Sequence, residues 1–227
     1  FPNVWRPCRR AAQRLESAPG TARKELSMAT LVLYSDQVPS AAAVDQALLA
    51  LFDTPAPTIG YIPSSPDPQR VYYAQRQAYY ARLGLTLSTY FALGDAYDPR
   101  LLPALWACDA IHLSGGNTYA FLHRLRQRHM LDPLRRYAAR GGVLIGVSAG
   151  AILLTPDVTT AALCGDQPLA SQDDPCALGL VAFAFVPHFD DTLAGRAALR
   201  AYARERQRTV YACPDGGGVV VRGDHIR

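Results

Sequence analysis

The chain has little that would tie it to a metal, a membrane or a nucleic acid. Its five cysteines (Cys8, Cys108, Cys164, Cys176, Cys213) are odd in number and scattered, without a Cys-x-x-Cys pair, and its five histidines show no metal-ligand spacing. A zinc ribbon or finger is thereby excluded, and no metal or other cofactor is expected. Such dispersed thiols fit a reducing cytoplasm, where they are expected to be free, although Cys164 and Cys176 could bridge a loop. No apolar stretch is long enough for a membrane span, and no signal peptide is visible. Internal repeats, low-complexity segments, the dinucleotide pattern G-x-G-x-x-G and the Walker pattern are all missing.

Most of the chain also lacks an excess charge. The formal net charge is +4, yet residues 1–27 hold six basic side chains (Arg6, Arg9, Arg10, Arg14, Arg23, Lys24) against Glu16 and Glu25. Six minus two accounts for the whole excess. The neutral remainder argues against a nucleic-acid surface, which would need a basic face. Residues 1–27 show no periodicity and begin at Phe1, whereas Met28-Ala29-Thr30-Leu31-Val32-Leu33-Tyr34 runs straight into a strand. Residues 1–27 are therefore expected to be an extension outside the fold, with an Arg-rich targeting peptide as the alternative. Residues 28–227 are expected to form a single domain.

From Thr30 onward, strand-like and helix-like stretches alternate. Leu31–Tyr34, Thr58–Ile62, Leu85–Leu93, Ala110–Leu113, Val143–Val147, Leu180–Val186 and Thr209–Ala212 read as strands. Ser40 is placed to cap a helix reaching Asp53, and Gln69–Leu83, Pro99–Ala107, Tyr119–Met130 and Pro133–Arg140 read as helices. Tyr72, Tyr73, Tyr79 and Tyr80 in the second of these are read as packing rather than as a platform for bases. Gly216–Arg227 resembles a strand pair cut short. The alternation predicts an α/β fold, a mostly parallel sheet with helices on both faces, whose ligand site lies beyond the carboxyl ends of the strands.

Two strand ends carry unusual chemistry. Val143–Val147 is aliphatic except for Gly146, and Ser148 follows between Gly146 and Gly150 before Ala149–Leu154 starts a helix. This small-residue frame suits a nucleophile elbow, in which the backbone turns sharply and pushes a hydroxyl above the sheet. An ordinary serine in a tight turn is the plain alternative. The other end is Ser114-Gly115-Gly116-Asn117-Thr118, either a strand-to-helix turn capped by Asn117 or an anion-binding loop. The Gly116 and Ala149 N–H groups are the candidate oxyanion hole.

A serine needs a base, and the base an orienting carboxylate. His123 and His129 read as surface residues, His112 as packed within a strand, and His225 lies in a polar end. His188 follows an apolar run in Val186-Pro187-His188-Phe189, another strand end. Asp215, in Cys213-Pro214-Asp215-Gly216 after the strand ending at Ala212, is the favoured carboxylate, with Asp166 as its rival.

The motifs Ser-Gly-Gly-Asn-Thr (114–118), Gly-Val-Ser-Ala-Gly-Ala (146–151), Pro-His-Phe (187–189) and Pro-Asp-Gly (214–216) resemble, in this order, those of the peptidase E or aspartyl dipeptidase family, related to cyanophycinase. The resemblance runs from about Met28 to the end. It implies a fold similar to class I glutamine amidotransferases (flavodoxin-like), with Ser148 as nucleophile, His188 as base, Gly116 and Ala149 as oxyanion donors and Asn117 near the substrate. In that family the third triad member is a glutamate, whereas Asp215 is one methylene shorter. The family's arginine that holds an N-terminal aspartate side chain corresponds most closely to Arg196, with Arg200 as the second choice. The expected activity is cofactor-independent hydrolysis of short peptides, with N-terminal Asp preferred or with broader specificity, by a cytoplasmic monomer or homodimer. Two other readings remain: an α/β-hydrolase-type esterase whose acid, Asp166 or Asp173, precedes His188, and a non-catalytic binding module with Ser148 and Gly116 holding an anion.

Overall fold

The structure, a computed structural model, describes residues 29–169 and 174–227. The expectations for residues 1–27, Cys8 and Asp173 lie outside the described residues. In chain order the elements are β1 (Thr30–Tyr34), α1 (Ala42–Leu49), β2 (Thr58–Ile62), α2 (Val71–Arg82), β3 (Thr86–Tyr90), α3 (Leu102–Trp106) and β4 (Ala110–Leu113). Then follow α4 (Thr118–Gln127), α5 (Leu131–Ala139), β5 (Val143–Val147), α6 (Ala149–Leu154), β6 (Ala184–Val186), α7 (Leu193–Arg206), β7 (Val210–Ala212), β8 (Gly218–Arg222) and β9 (His225–Ile226).

The main sheet has the order β3-β2-β4-β5-β1-β8-β9. Its first five strands are parallel, while β8 pairs antiparallel with β1 and β9 with β8. β1 lies in register with β5, Tyr34 opposite Val147, so the two strands end side by side. Side chains alternate across the pleat, which is why an apolar run feeds two cores. Leu31, Leu33, Ile111, Leu113 and Leu144 pack on one face against Phe121, Leu122, Leu134 and Ile152 from α4, α5 and α6. Val32, Tyr34, Ile59, Tyr61, Ile145 and Val147 pack on the other against Val44 and Leu48 of α1 and Tyr73, Tyr79 and Tyr80 of α2. Three of the four α2 tyrosines are thus core residues, and Tyr72 remains 62% exposed.

The fold places four polar strand ends at one edge: Ser35 after β1, Ser64 shortly after β2, Ser114 after β4 and Ser148 after β5. Parallel strands make this convergence unavoidable, since all their carboxyl ends point the same way.

Several details differ from the sequence reading. Ser40 lies inside a single 3-10 turn (Pro39–Ala41), and α1 starts at Ala42 without a side-chain cap. Only residues 184–186 of the 180–186 run are strand, and β6 pairs with β7 in a separate two-stranded parallel sheet. Residues 180–183 are apolar because Leu180, Val181 and Phe183 fill the core as irregular chain. Cys108, Cys164 and Cys213 are free thiols, so no Cys164–Cys176 bridge forms. Cys176 is itself disulfide-bonded, contrary to the expectation of a free thiol there. Among the described residues, no helix is long and apolar enough to cross a membrane.

Candidate active site

The turn at Ser148 is built from its neighbours' small size. Ser148 has φ 51° and ψ −110°, a conformation that L-residues avoid and that survives only where the surroundings impose it. Its N–H donates to the Tyr34 carbonyl at 3.0 Å, while the Gly150 N–H donates to the Ser114 carbonyl at 3.1 Å. A Cβ on Gly150 would collide with the Leu113 carbonyl, so only glycine lets α6 approach β4 this closely. The elbow is therefore locked to β1 on one side and β4 on the other.

His188 Nε2 lies 2.8 Å from Ser148 Oγ, and His188 Nδ1 lies 2.6 Å from Asp215 Oδ1. A carboxylate only accepts, so Nδ1 carries the proton and Nε2 is left to accept from the serine hydroxyl. His188 and Asp215 are exposed, with 41% and 54% of their side chains accessible. Asp215, despite its shorter side chain, reaches the ring because Pro214–Gly217 forms a tight turn, the Gly217 N–H donating to the Pro214 carbonyl at 2.8 Å. That turn is held to β1 by the Ser35 N–H, 2.9 Å from the Gly217 carbonyl.

Ser35 escaped the sequence reading. Fully buried, it accepts from the His188 N–H at 2.7 Å and donates through the same hydroxyl to Asp215 Oδ1 at 3.2 Å. It thus joins the histidine backbone, itself at a positive φ of 53°, to the carboxylate. Its one visible signal was its place immediately after the strand Leu31–Tyr34, at the ligand-bearing edge.

The N–H groups of Gly116 and Ala149 donate to no backbone carbonyl among the described residues. Gly116 has φ +129°, and the neighbouring Gly115 lies against Ser148, a Cβ there falling 3.5 Å from the serine Cβ. The loop is fixed from β2: Ser64 N–H donates to Ser114 Oγ at 2.7 Å, and Ser64 Oγ to the Gly115 carbonyl at 2.5 Å. These free donors stand where a helix amino end adds its own positive potential.

A cleft of about 360 Å³ opens beside Ser148 and His188. Tyr61, His112 and Val147 line it from the sheet, Tyr72, Gln75 and Arg76 from α2, and Asp36 from the end of β1. His112 is held neutral, its pKa lowered to about 3 by burial and then by the nearby Arg76 charge. Burial pushes the thiols of Cys164 and Cys213 up to about 11, the first with help from Asp166, so neither competes as a nucleophile.

Other residues picked from the sequence stand elsewhere. Asn117 Oδ1 accepts from the Ala120 N–H at 2.8 Å, capping α4, and does not line the cleft. Asp166 accepts from the Thr118 N–H at 2.7 Å and is a second cap of the same helix, not a partner of His188. Arg196 is exposed and holds Asp191 through two bonds of 2.5 Å, which lowers the Asp191 pKa; neither it nor Arg200 lines the cleft. The arginine in the cleft is Arg76.

The chain's similarities agree with this geometry. The model of "Peptidase family S51" matches residues 31–227. Peptidase E of Citrobacter koseri is 31% identical over 122 residues, 54% of this chain and 50% of that protein. Peptidase E of Escherichia coli is 28% identical over 162 residues, covering 68% of this chain and 67% of the relative. The chain thus spans half the length of the first relative and about two thirds of the second. Among solved structures, a putative peptidase E from Listeria monocytogenes EGD-e superposes with a TM-score of 0.69 at 20% identity, covering 88% of this chain and 97% of that one. A peptidase from an acI-B1 Actinobacterium gives 0.65 at 18% identity, covering 88% and 86%. These two likenesses concern the fold, whereas the family match takes in both ends of the sheet edge that carries Ser148, His188 and Asp215: the chain belongs to peptidase family S51.

Proposed function

We propose that this chain is a serine peptidase that hydrolyses short peptides from their amino end, with preference for N-terminal Asp, through an acyl-enzyme on Ser148. The observation that carries the reading is the unbroken chain from Ser148 Oγ to His188 Nε2 (2.8 Å) and from His188 Nδ1 to Asp215 (2.6 Å) at the mouth of a cleft. In the first step Ser148 Oγ bonds to the scissile carbonyl carbon while its proton passes to His188 Nε2. Asp215 keeps the imidazole in the required tautomer and stabilises the imidazolium. The N–H groups of Gly116 and Ala149 receive the negative charge on the carbonyl oxygen, each worth about 3 kcal/mol in the transition state. The C–N bond then breaks as His188 returns the proton to the leaving amine. Water next attacks the ester carbon and gives a proton to Nε2; the C–Oγ bond then breaks as His188 passes that proton to Ser148 Oγ, which releases the acid and restores the enzyme. Every step uses groups of this chain, substrate or water.

The test is hydrolysis of Asp-Leu, Glu-Leu, Asn-Leu and Ala-Leu by the wild type and Ser148→Ala. Cleavage led by Asp-Leu and lost in the variant supports the reading. Broad cleavage lost in the variant keeps the serine mechanism but removes the Asp preference. Cleavage of none, together with no labelling of Ser148 by an active-site serine reagent, overturns the proposal in favour of a binding module.

A further inference from the structure

The cleft holds a charge pair to which the hydrolytic steps assign nothing. Arg76 faces Asp36 with Nη1 4.0 Å from Oδ1, too far for a hydrogen bond, and their side chains are 23% and 36% exposed. Arg76 is nevertheless fixed in place. Its Nη1 donates to the Gln37 carbonyl at 3.3 Å and to Gln37 Oε1 at 3.2 Å. Gln37, 3% exposed, donates from Nε2 to the Tyr80 hydroxyl at 2.9 Å. That hydroxyl has one proton and spends it on His112 Nδ1, 2.8 Å away. Tyr61 stacks on the His112 ring with centroids 4.9 Å apart. A buried chain of three side chains thus orients the guanidinium, the support a recognition group needs to keep its geometry.

Both partners keep unused capacity. Nε and Nη2 of Arg76 bond to no described residue, which leaves a planar edge of the guanidinium for a bidentate carboxylate. Asp36 Oδ1 accepts from the Gln37 N–H at 2.7 Å, and Oδ2 has no donor among the described residues. Asp67, the other cleft carboxylate, is taken up by the N–H groups of Val71, Tyr72 and Tyr73 at the start of α2. Among the described residues, Arg76 is the only arginine or lysine lining the cleft. Opposite charges held side by side complement a ligand carrying opposite charges a few bonds apart.

We infer that Arg76 and Asp36 together recognise the N-terminal residue of an acidic peptide, Arg76 receiving its side-chain carboxylate and Asp36 its α-ammonium. This rests on the peptide-hydrolysing reading and moves the selectivity from α7, where Arg196 is committed to Asp191, to α2. Asparagine in place of the aspartate keeps the shape but forfeits the charge, and N-acetylation removes the ammonium. Each loss leaves one member of the pair facing an uncomplemented group.

The test is calorimetric binding of Asp-Leu, Asn-Leu and N-acetyl-Asp-Leu to the Ser148→Ala protein, in which hydrolysis does not intervene. Asp-Leu is expected to bind about tenfold or more tightly than either analogue, as charge-assisted bonds imply. Adding Arg76→Gln brings Asp-Leu and Asn-Leu within about twofold, while Arg76→Lys, with charge but no fork, falls between. Adding Asp36→Asn removes the discrimination against the acetylated peptide, and adding Arg196→Gln changes neither ratio. Discrimination that survives Arg76→Gln, or that is absent from the Ser148→Ala protein, overturns the inference. If the ratios follow expectation but the wild type cuts no peptide, recognition stands and the peptidase reading falls. If peptides are cut but Arg76→Gln leaves the ratios intact, the reverse holds. Circular dichroism of each variant separates loss of binding from loss of fold.

Discussion

Replacing Ser35 by alanine removes one hydroxyl that serves two masters. Its Oγ accepts from the His188 N–H at 2.7 Å and donates to Asp215 at 3.2 Å, from a site that is fully buried. Alanine fits the space without strain, so the loss is purely one of hydrogen bonding. An unpaired N–H in a part-buried position costs about 1–2 kcal/mol. The longer bond to Asp215 is worth about 1 kcal/mol, since the carboxylate is 54% exposed and water replaces part of it. The total of about 2–3 kcal/mol lowers Tm by about 4–12 °C for a chain of this size. The share borne by Asp215 and the His188 backbone loosens the base, and the rate of Ser148 phosphonylation by a fluorophosphonate is expected to fall about 10- to 100-fold. That assay depends on no assumed substrate. A rate within twofold of the wild type, in a variant with the expected fall in Tm, would refute the claim that Ser35 positions the triad and leave it a packing residue.

Two further outcomes follow from buried ionisable groups. Asp157, 2% exposed, is paired through Oδ2 with Arg208 Nη1 at 2.7 Å, while its Oδ1 accepts from Thr159, so Arg208→Met leaves a buried charge without its counterion and is expected to cost about 3 kcal/mol in urea unfolding, most of it recovered by Asp157→Asn; a loss below about 1 kcal/mol contradicts this. His112 is held neutral with its pKa lowered to about 3, against about 6.5 when unfolded. The unfolded chain therefore takes up a proton below pH 6.5 that the folded chain refuses, and His112 contributes a loss of stability of up to about 1.4 kcal/mol per pH unit as pH falls from there. In NMR its ring signals stay unchanged between pH 5 and 8; a midpoint inside that range is incompatible with the Tyr80 bond and the burial described.

The site was legible where chemistry and backbone are local. Ser148 stood out because a strained turn needs Gly146 and Gly150 around it, and His188 because Val186-Pro187 ends a strand before it. Asp215 was less legible than its geometry now makes it, since Asp166 and Asp215 look alike as loop aspartates. The difference is where each loop goes: the Asp166 carboxylate caps α4, whereas the turn bearing Asp215 is tied to the end of β1 through Ser35. Arg196 was chosen by position after His188, but a nearer carboxylate, Asp191, claims it. Ser35, Arg76 and Asp36 carried no motif; only the place of Ser35 directly after a strand pointed to the edge where Ser148 stands.

By itself the sequence determined the alternation of strands and helices, the parallel core strands and the elbow with its serine. Those are properties of short windows: apolar periodicity, small residues at a forced turn, and the absence of competing motifs. The tertiary structure decided which distant groups meet. It ended β1 beside β5, brought β8 back antiparallel so that the turn before it delivers Asp215, and laid α2 over the cleft with Arg76 inward. Strand order and crossovers fix such meetings, and they are set by the packing of whole faces rather than by any residue's neighbours in the chain.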